Sequence, residues 1–192
     1  MSTIVLKYVL TLSILLGTQI SLAQNVYERK IDSLQFTTNV ASSCRSTNVL
    51  EECELCSSCG DVFFWEIIQG KDSVIPLLLD KIMDSTLSYA PNNYAAMQFR
   101  VGDIALLAFQ EIIHHIPTLT LAGIEFSSTE AYSVFWKHLN HSYENRVHFV
   151  TALKQWHMAN KENFIWVSSN AFEICDCSGP HPNGGHYALK KD

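Results

Sequence analysis

From Val26 onward apolar positions recur at helical spacing: Val26, Tyr27, Ile31 and Leu34 share a face of the segment 24–40, predicting one amphipathic helix that frays near Thr37 and Thr38. The period then breaks. Residues 41–60 are rich in Ser, Thr, Asn and Cys and read as an irregular loop tied down by bonds. Asp61 can cap a short, almost wholly apolar helix over 62–69, which Gly70 ends. A helix without a polar face belongs at the centre of a fold. Asp72 or Ser73 caps the next helix, with Pro76 in its first turn and Ile75, Leu78, Leu79 and Ile82 as the buried stripe.

Residues 85–99 hold Pro91-Asn92-Asn93 and read as a long connection or insertion. A further helix runs from about Gly102 to His115, with Ile104, Ala105, Ala108 and Ile112 inward and Pro117 stopping it. Ser127-Ser128-Thr129-Glu130 supplies a capping box for a helix over 131–139. The last helix, 142–160, is expected to turn Tyr143, Val147, Val150 and Trp156 to one side. Period-2 alternation around Phe164, Ile165, Trp166 and Val167 marks a strand over 163–168, and 118–125 is a weaker strand candidate.

In the middle of the chain, Trp65, Ile68 and Gly70 followed by Ile75-Pro76-Leu77-Leu78, Ile82 and Asp84 resemble a HEAT-type helical hairpin. Arg100-Val101-Gly102-Asp103-Ile104-Ala105, with Ala108 and Ile112, is similar to the second-helix or next-repeat pattern of that family. The resemblance covers about 61–116 and extends to small exported bacterial proteins of unknown function that carry such a tryptophan helix and Val-Gly-Asp helix. It implies a helical scaffold for contacts, in which Ala105 and Ala108 let neighbouring helices approach closely, and it brings no catalytic residue.

The N-terminus changes how the cysteines are read. Lys7, the apolar stretch 8–17 and Ser21-Leu22-Ala23 have the order of a secretory signal peptide over 1–23, with cleavage after Ala23. Thr11, Ser13, Thr18 and Gln19 interrupt the apolar run and argue against a membrane anchor, and no later segment has the length to span a bilayer. The expectation is an exported protein, periplasmic or extracellular, with 24–192 forming a single domain. Loss of Lys7 leaves twelve Lys and Arg against nineteen Asp and Glu, so the mature charge is −7 where the full chain has −6. Phosphate backbones demand the opposite sign, which excludes nucleic acid as a partner class. Hydrophobic residues make up 47% of the chain, enough for a real core, so the cysteines are reinforcement.

Six cysteines fall in two clusters: Cys44, Cys53, Cys56 and Cys59, then Cys175 and Cys177. In an exported chain an even count reads as a disulfide framework, although six thiols allow 15 pairings. Cys175 and Cys177 point the same way in an extended chain, so the expectation is that at least one bonds back to the front loop, pinning the tail there. A loop of that span corresponds to about 4–5 kcal/mol in the chain-entropy model. The alternatives are a zinc site drawing on Cys53, Cys56, Cys59, Cys175, Cys177, His181 and His186, and redox work by Cys56-Ser57-Ser58-Cys59.

Of the eight histidines, His114-His115 ends a helix, where the dipole favours cations, and His138, His141, His148 and His157 read as surface groups. The Gly- and Pro-punctuated tail 178–187, carrying His181 and His186 beside Cys175 and Cys177, is the first candidate for a functional surface. Phosphate-loop, nucleophile-elbow and zincin motifs are absent. Asn140-His141-Ser142 is a formal glycosylation sequon, and Trp65, Trp136, Trp156 and Trp166 read as core anchors.

Together these observations predict a mainly α chain: a HEAT-like helical-hairpin bundle with a small C-terminal β element, disulfide-stapled. The expected function is a non-catalytic scaffold or binding module without a cofactor, with another protein as the candidate partner. The competing class is a secreted hydrolase or metal-binding protein using the tail histidines and cysteines.

Overall fold

The computed structural model describes residues 26–42, 58–92, 95–125, 131–168 and 185–190. The signal segment, Cys44, Cys53, Cys56, Cys175, Cys177, His181 and the tail turns up to residue 184 lie outside them, as does any bond to those cysteines.

Helix α1 (residues 26–32) passes into a 3-10 turn, Ser33–Phe36, burying Ile31 and Leu34, and the chain becomes extended at Thr37. The helical stretch expected in 24–40 thus ends where its fraying was expected, at Thr37. Two adjacent β-branched threonines disfavour its continuation, and Asp61 offers the next amides a better partner. Its Oδ2 accepts from the backbone N–H of Thr38 (2.6 Å) and Asn39 (3.3 Å), while Oδ1 caps α2 (Val62–Ile68) by accepting from Phe64 N–H (3.1 Å). Asp61→Ala removes these bonds together with that from the Thr38 hydroxyl (3.3 Å) and is expected to lower stability by about 1–2 kcal/mol, read as the urea midpoint.

Strands β1 (Ala41–Ser42) and β2 (Ser58–Cys59) pair antiparallel, Ala41 opposite Cys59, so the two ends of the cysteine-rich loop meet. Gly70 is not the left-handed cap the sequence suggests. Its φ is −71°, and its value is close approach, because a Cβ there would collide with Val74 and lie 2.9 Å from the Tyr27 ring. After the 3-10 turn Lys71–Val74, helix α3 (Ile75–Lys81) carries Pro76 in its first turn and buries Ile75, Leu78 and Leu79.

The connection expected at 85–99 is a hairpin, β3 (Leu87–Asn92) with β4 (Met97–Arg100). Its alternation is inverted. Small Ser88 and Ala90 face inward while Leu87 and Tyr89 are exposed, so the pattern carries no apolar-in signal.

Helix α4 (Val101–Ile112) is the central element, buried along nearly its whole length, and both α2 and α3 pack on it. A short helix α5 (Thr118–Leu121) stands where a strand was expected. Pro117 and Gly123 (φ 67°) bracket it, and Leu121 N–H donates to Pro117 O at 2.9 Å. Four residues between two such breakers form one helical turn despite the Thr-Leu-Thr-Leu alternation.

Helices α6 (Ala131–His141) and α7 (Tyr143–Asn160) are joined by Ser142 alone, whose hydroxyl accepts from Asn145 N–H (3.1 Å) as the cap of α7. The buried face of α7 differs from the expected one. Arg146, Phe149, Val150 and Leu153 face inward, whereas Tyr143 is 68% exposed and Val147 37%. The C-terminal element is β5 (Phe164–Ser168) antiparallel to β6 (Gly185–Leu189), and β6 also bridges Ile113 in parallel. The fold is thus mainly helical with small antiparallel pairs at its edges. Among the described residues, no helix is long and apolar enough to cross a membrane.

Candidate functional site

Two clusters of polar side chains stand out. The first lies where α3 ends, α4 begins, α6 ends and α7 begins. Asp103, in the first turn of α4, accepts the Arg100 backbone N–H at 2.9 Å. Its Oδ1 takes the Arg146 guanidinium at 2.6 Å, with side-chain exposures of 0% for the acid and 3% for the base. Arg146 also donates to Ile82 O (2.9 Å) and to Asn140 Oδ1 (2.7 Å), and Asn140 Nδ2 returns to Asp103 Oδ2 (3.3 Å) and Trp136 O (3.0 Å). Charges out of water persist when paired and hydrogen-bonded, and both conditions are met here. Gly102 makes room for the node: a Cβ there would strike Ile82 O and lie 2.8 Å from both Arg146 Nη1 and Asp84 O. Since Asn140 spends its amide nitrogen inside the node, a glycan on the Asn140-His141-Ser142 sequon and this packing exclude each other.

Beside the node, Lys81 bridges Asp32 (2.9 Å) and Asp84 (3.0 Å), tying α1 to the end of α3. Burial works to lower the Lys81 pKa, but its hydrogen bonds to the two carboxylates outweigh that and hold the ammonium above its ordinary value. Partial burial would raise Asp84, yet hydrogen bonds from Thr86 and the charge of Lys81 leave its carboxyl below the usual range.

The second cluster seats the β5–β6 hairpin. His114 N–H donates to Tyr187 O (2.9 Å), and the His114 and His186 rings stack with centroids 3.5 Å apart and planes 12° from parallel. His115, at φ 60°, turns the chain away, its ring 6.2 Å from that of His114. Tyr187 OH donates to Asp72 (3.1 Å), and Lys71 Nζ sits 4.4 Å from the centre of the Trp166 ring. Burial, then Asp72, pushes the Tyr187 phenol above its ordinary pKa. At the other end of the hairpin, His157 lies between Phe109, edge to face, and Phe164, stacked, each at 6.0 Å. Burial there, aided by Lys161, holds its imidazole below the ordinary pKa.

Of the residues singled out in the sequence, Cys59 lies in β2 and His186 in β6 rather than in a turn-rich tail. Parallel stacked imidazoles aim their in-plane nitrogen lone pairs side by side, not at a common point. Among the described residues, no group of three or more His, Cys, Asp or Glu is placed to hold a metal ion. Trp65 and Trp136 are core anchors, as expected, whereas Trp166 is 36% exposed on the hairpin. The histidine at 157, expected at the surface, is half-buried against β5.

The cavities add little chemistry. One, of about 280 Å³, lies between α5 and Phe135 and is lined by Ile116, Pro117, Thr118, Leu119 and Thr120. The Thr118 hydroxyl there is already engaged, accepting from Gln110 Nε2 (3.0 Å) and donating to Ile116 O (3.3 Å). A broader groove on α7 carries Glu144 and His148 beside Tyr143, Val147 and Thr151. Sequence reasoning missed Asp103, Asn140 and Arg146 as a unit; the signal available was the Val101-Gly102-Asp103 start of α4, where an acid in the first turn follows a glycine. No family model, no curated protein and no solved structure matches this chain.

Proposed function

We propose that the mature chain is an exported, non-catalytic helical binding module, with α2, α3 and α4 built in the manner of a HEAT-like unit. The observation that carries this reading is the use of the buried ionisable pair. Asp103 and Arg146 bond to each other, to backbone and to Asn140, tying four helix ends together, so their polarity is directed into the frame. Catalytic groups face a cavity. The α5 cavity instead presents aliphatic carbon, one phenylalanine and threonines. The HEAT-like aspect is supported by α2 and α3, which both lay apolar side chains on α4, as stacked helical layers do.

A binding module has its capacity on the outside, and here Phe36, Leu87 and Tyr89 are exposed large apolar groups, with Phe36 6.2 Å from Tyr89 and 6.3 Å from Phe63. The test is isolation of the full mature chain from its native exported fraction, beside a Phe36→Ser/Tyr89→Ser variant of equal melting temperature, with metal analysis of both. The expected result is at least one protein retained stoichiometrically by the native chain and recovered at least about tenfold less by the variant. Equal recovery from both, or one bound zinc per chain, would overturn the reading in favour of the metal-binding or hydrolytic class.

A further inference from the structure

We propose that the outer edge of β5 is a self-association site: two copies of the chain lay β5 against β5, antiparallel, and join their hairpins into one four-stranded sheet. The ladder fixes which backbone groups are on offer. In an antiparallel pair, residues alternate between bonding the neighbouring strand and pointing away from it. Lys190 N–H donates to Asn163 O at 2.9 Å, and the register continues with Ile165 opposite Ala188 and Val167 opposite His186. Those positions therefore face β6, and Phe164, Trp166 and Ser168 turn their N–H and C=O groups outward. The far side of β6 obeys the same alternation, since Tyr187, opposite Trp166, gives its carbonyl to His114 N–H. Among the described residues, nothing bonds the outward backbone groups of Phe164 or Trp166.

A row of unpaired donors and acceptors calls for an extended chain, and proteins blunt such edges with a lysine, a proline, a bulge or an inward charge. Strand β5 has none of these. Phe164-Ile165-Trp166-Val167-Ser168 is β-prone and uncharged, pairs with β6 at every position without a bulge, and leaves Ile165 46% and Trp166 36% exposed.

Charge selects the occupant. The full chain carries −6, so two copies repel in general, but this edge is neutral and the flanking Lys161 and Glu162 cancel each other at 3.6 Å. The Lys71 ammonium sits over the Trp166 ring, on the face of the sheet and off its edge. A second copy thus meets little opposition here. The edge is also its own complement: a two-fold axis at Trp166 sets this residue opposite Trp166 of the second copy, and Phe164 opposite Ser168 of the second copy, so each outward N–H meets an outward C=O. Ile165 then falls beside Val167 of the second copy, an apolar cross-strand pair.

The experiment is sedimentation equilibrium with amide hydrogen exchange on the full mature chain, both from about 1 μM to about 500 μM. The expected result is a reversible dimer. In the dilute chain the amides of Ile165 and Val167, bonded to β6, are protected while those of Phe164 and Trp166 are open, and on dimerisation the latter two gain at least about tenfold in protection. Ser168→Pro removes one outward N–H without touching the β5–β6 ladder, and Ile165→Lys adds the charge that guarded edges carry. Each is expected to weaken the dimer at least about tenfold at an unchanged melting temperature. A chain that stays monomeric throughout, Phe164 and Trp166 amides already protected in the dilute chain, a dimer that leaves those two amides open, or folded variants that associate as tightly as the wild type would each overturn the proposal. So would protection gained at those amides only from another protein of the native exported fraction.

Discussion

Arg146→Met is expected to destabilise the folded chain by about 3–5 kcal/mol, the largest effect of any single substitution outside the aromatic core. Methionine fills much of the volume of the arginine stem but offers nothing to the Asp103 carboxylate, which has no exposure to water. The same change strands Ile82 O and Asn140 Oδ1, both acceptors of the guanidinium. Much of this cost arises from the abandoned acid and not from any intrinsic strength of the pair. Asp103→Asn combined with Arg146→Met is therefore expected to recover most of the loss, since an asparagine can still accept from Arg100 N–H and carries no charge. Urea denaturation of the four proteins of this cycle measures the coupling directly. Strict additivity of the two single changes would show that the residues do not act as a pair.

Gly102→Ala is expected to cost about 3 kcal/mol, equivalent to a fall in Tm on the order of 10 °C. In an ordinary helix the same change stabilises by about 1 kcal/mol, so the sign alone is informative. The new methyl group meets the carbonyl oxygens of Ile82 and Asp84 as well as the Arg146 guanidinium, and two of these three are backbone atoms that cannot rotate away. Its φ is not the reason, because Gly102 is an ordinary helical residue at the start of α4. Calorimetry of Gly102→Ala beside Gly123→Ala distinguishes the two uses of glycine. The second has open space around it and a φ of 67°, so its cost is conformational alone.

Helices were legible where the apolar period and its punctuation agreed. Asp61, Pro76 and Pro117 mark real boundaries, and α2, α3, α4 and α7 stand close to where they were expected. The β3–β4 hairpin was hidden because its inward positions are Ser88 and Ala90, residues that fill a tight space without announcing a core. Strand β6 was hidden by its neighbours, since Gly and Pro before it read as turns, and its pairing with β5 is decided by tertiary contact. The orientation of α7 was misjudged for a related reason. A helix that buries an arginine defeats a rule that counts only apolar residues, and Arg146 takes the place in the interior that Val147 was expected to share with Tyr143. The partners of Arg146 lie far off in sequence, 43 residues away at Asp103 and 64 at Ile82, and no local pattern reports such a pairing.

The short β1–β2 pairing has an architectural consequence. Because Ala41 faces Cys59 and Ser42 faces Ser58, the two ends of the cysteine-rich segment are held side by side. An insertion whose ends stay together can change in length without displacing the elements on either side, here α1 and α2. A bond confined to Cys44, Cys53 and Cys56 would close only a local ring. One reaching Cys175 or Cys177 would instead make a single covalent ring of which every helix from α2 to α7 is a part.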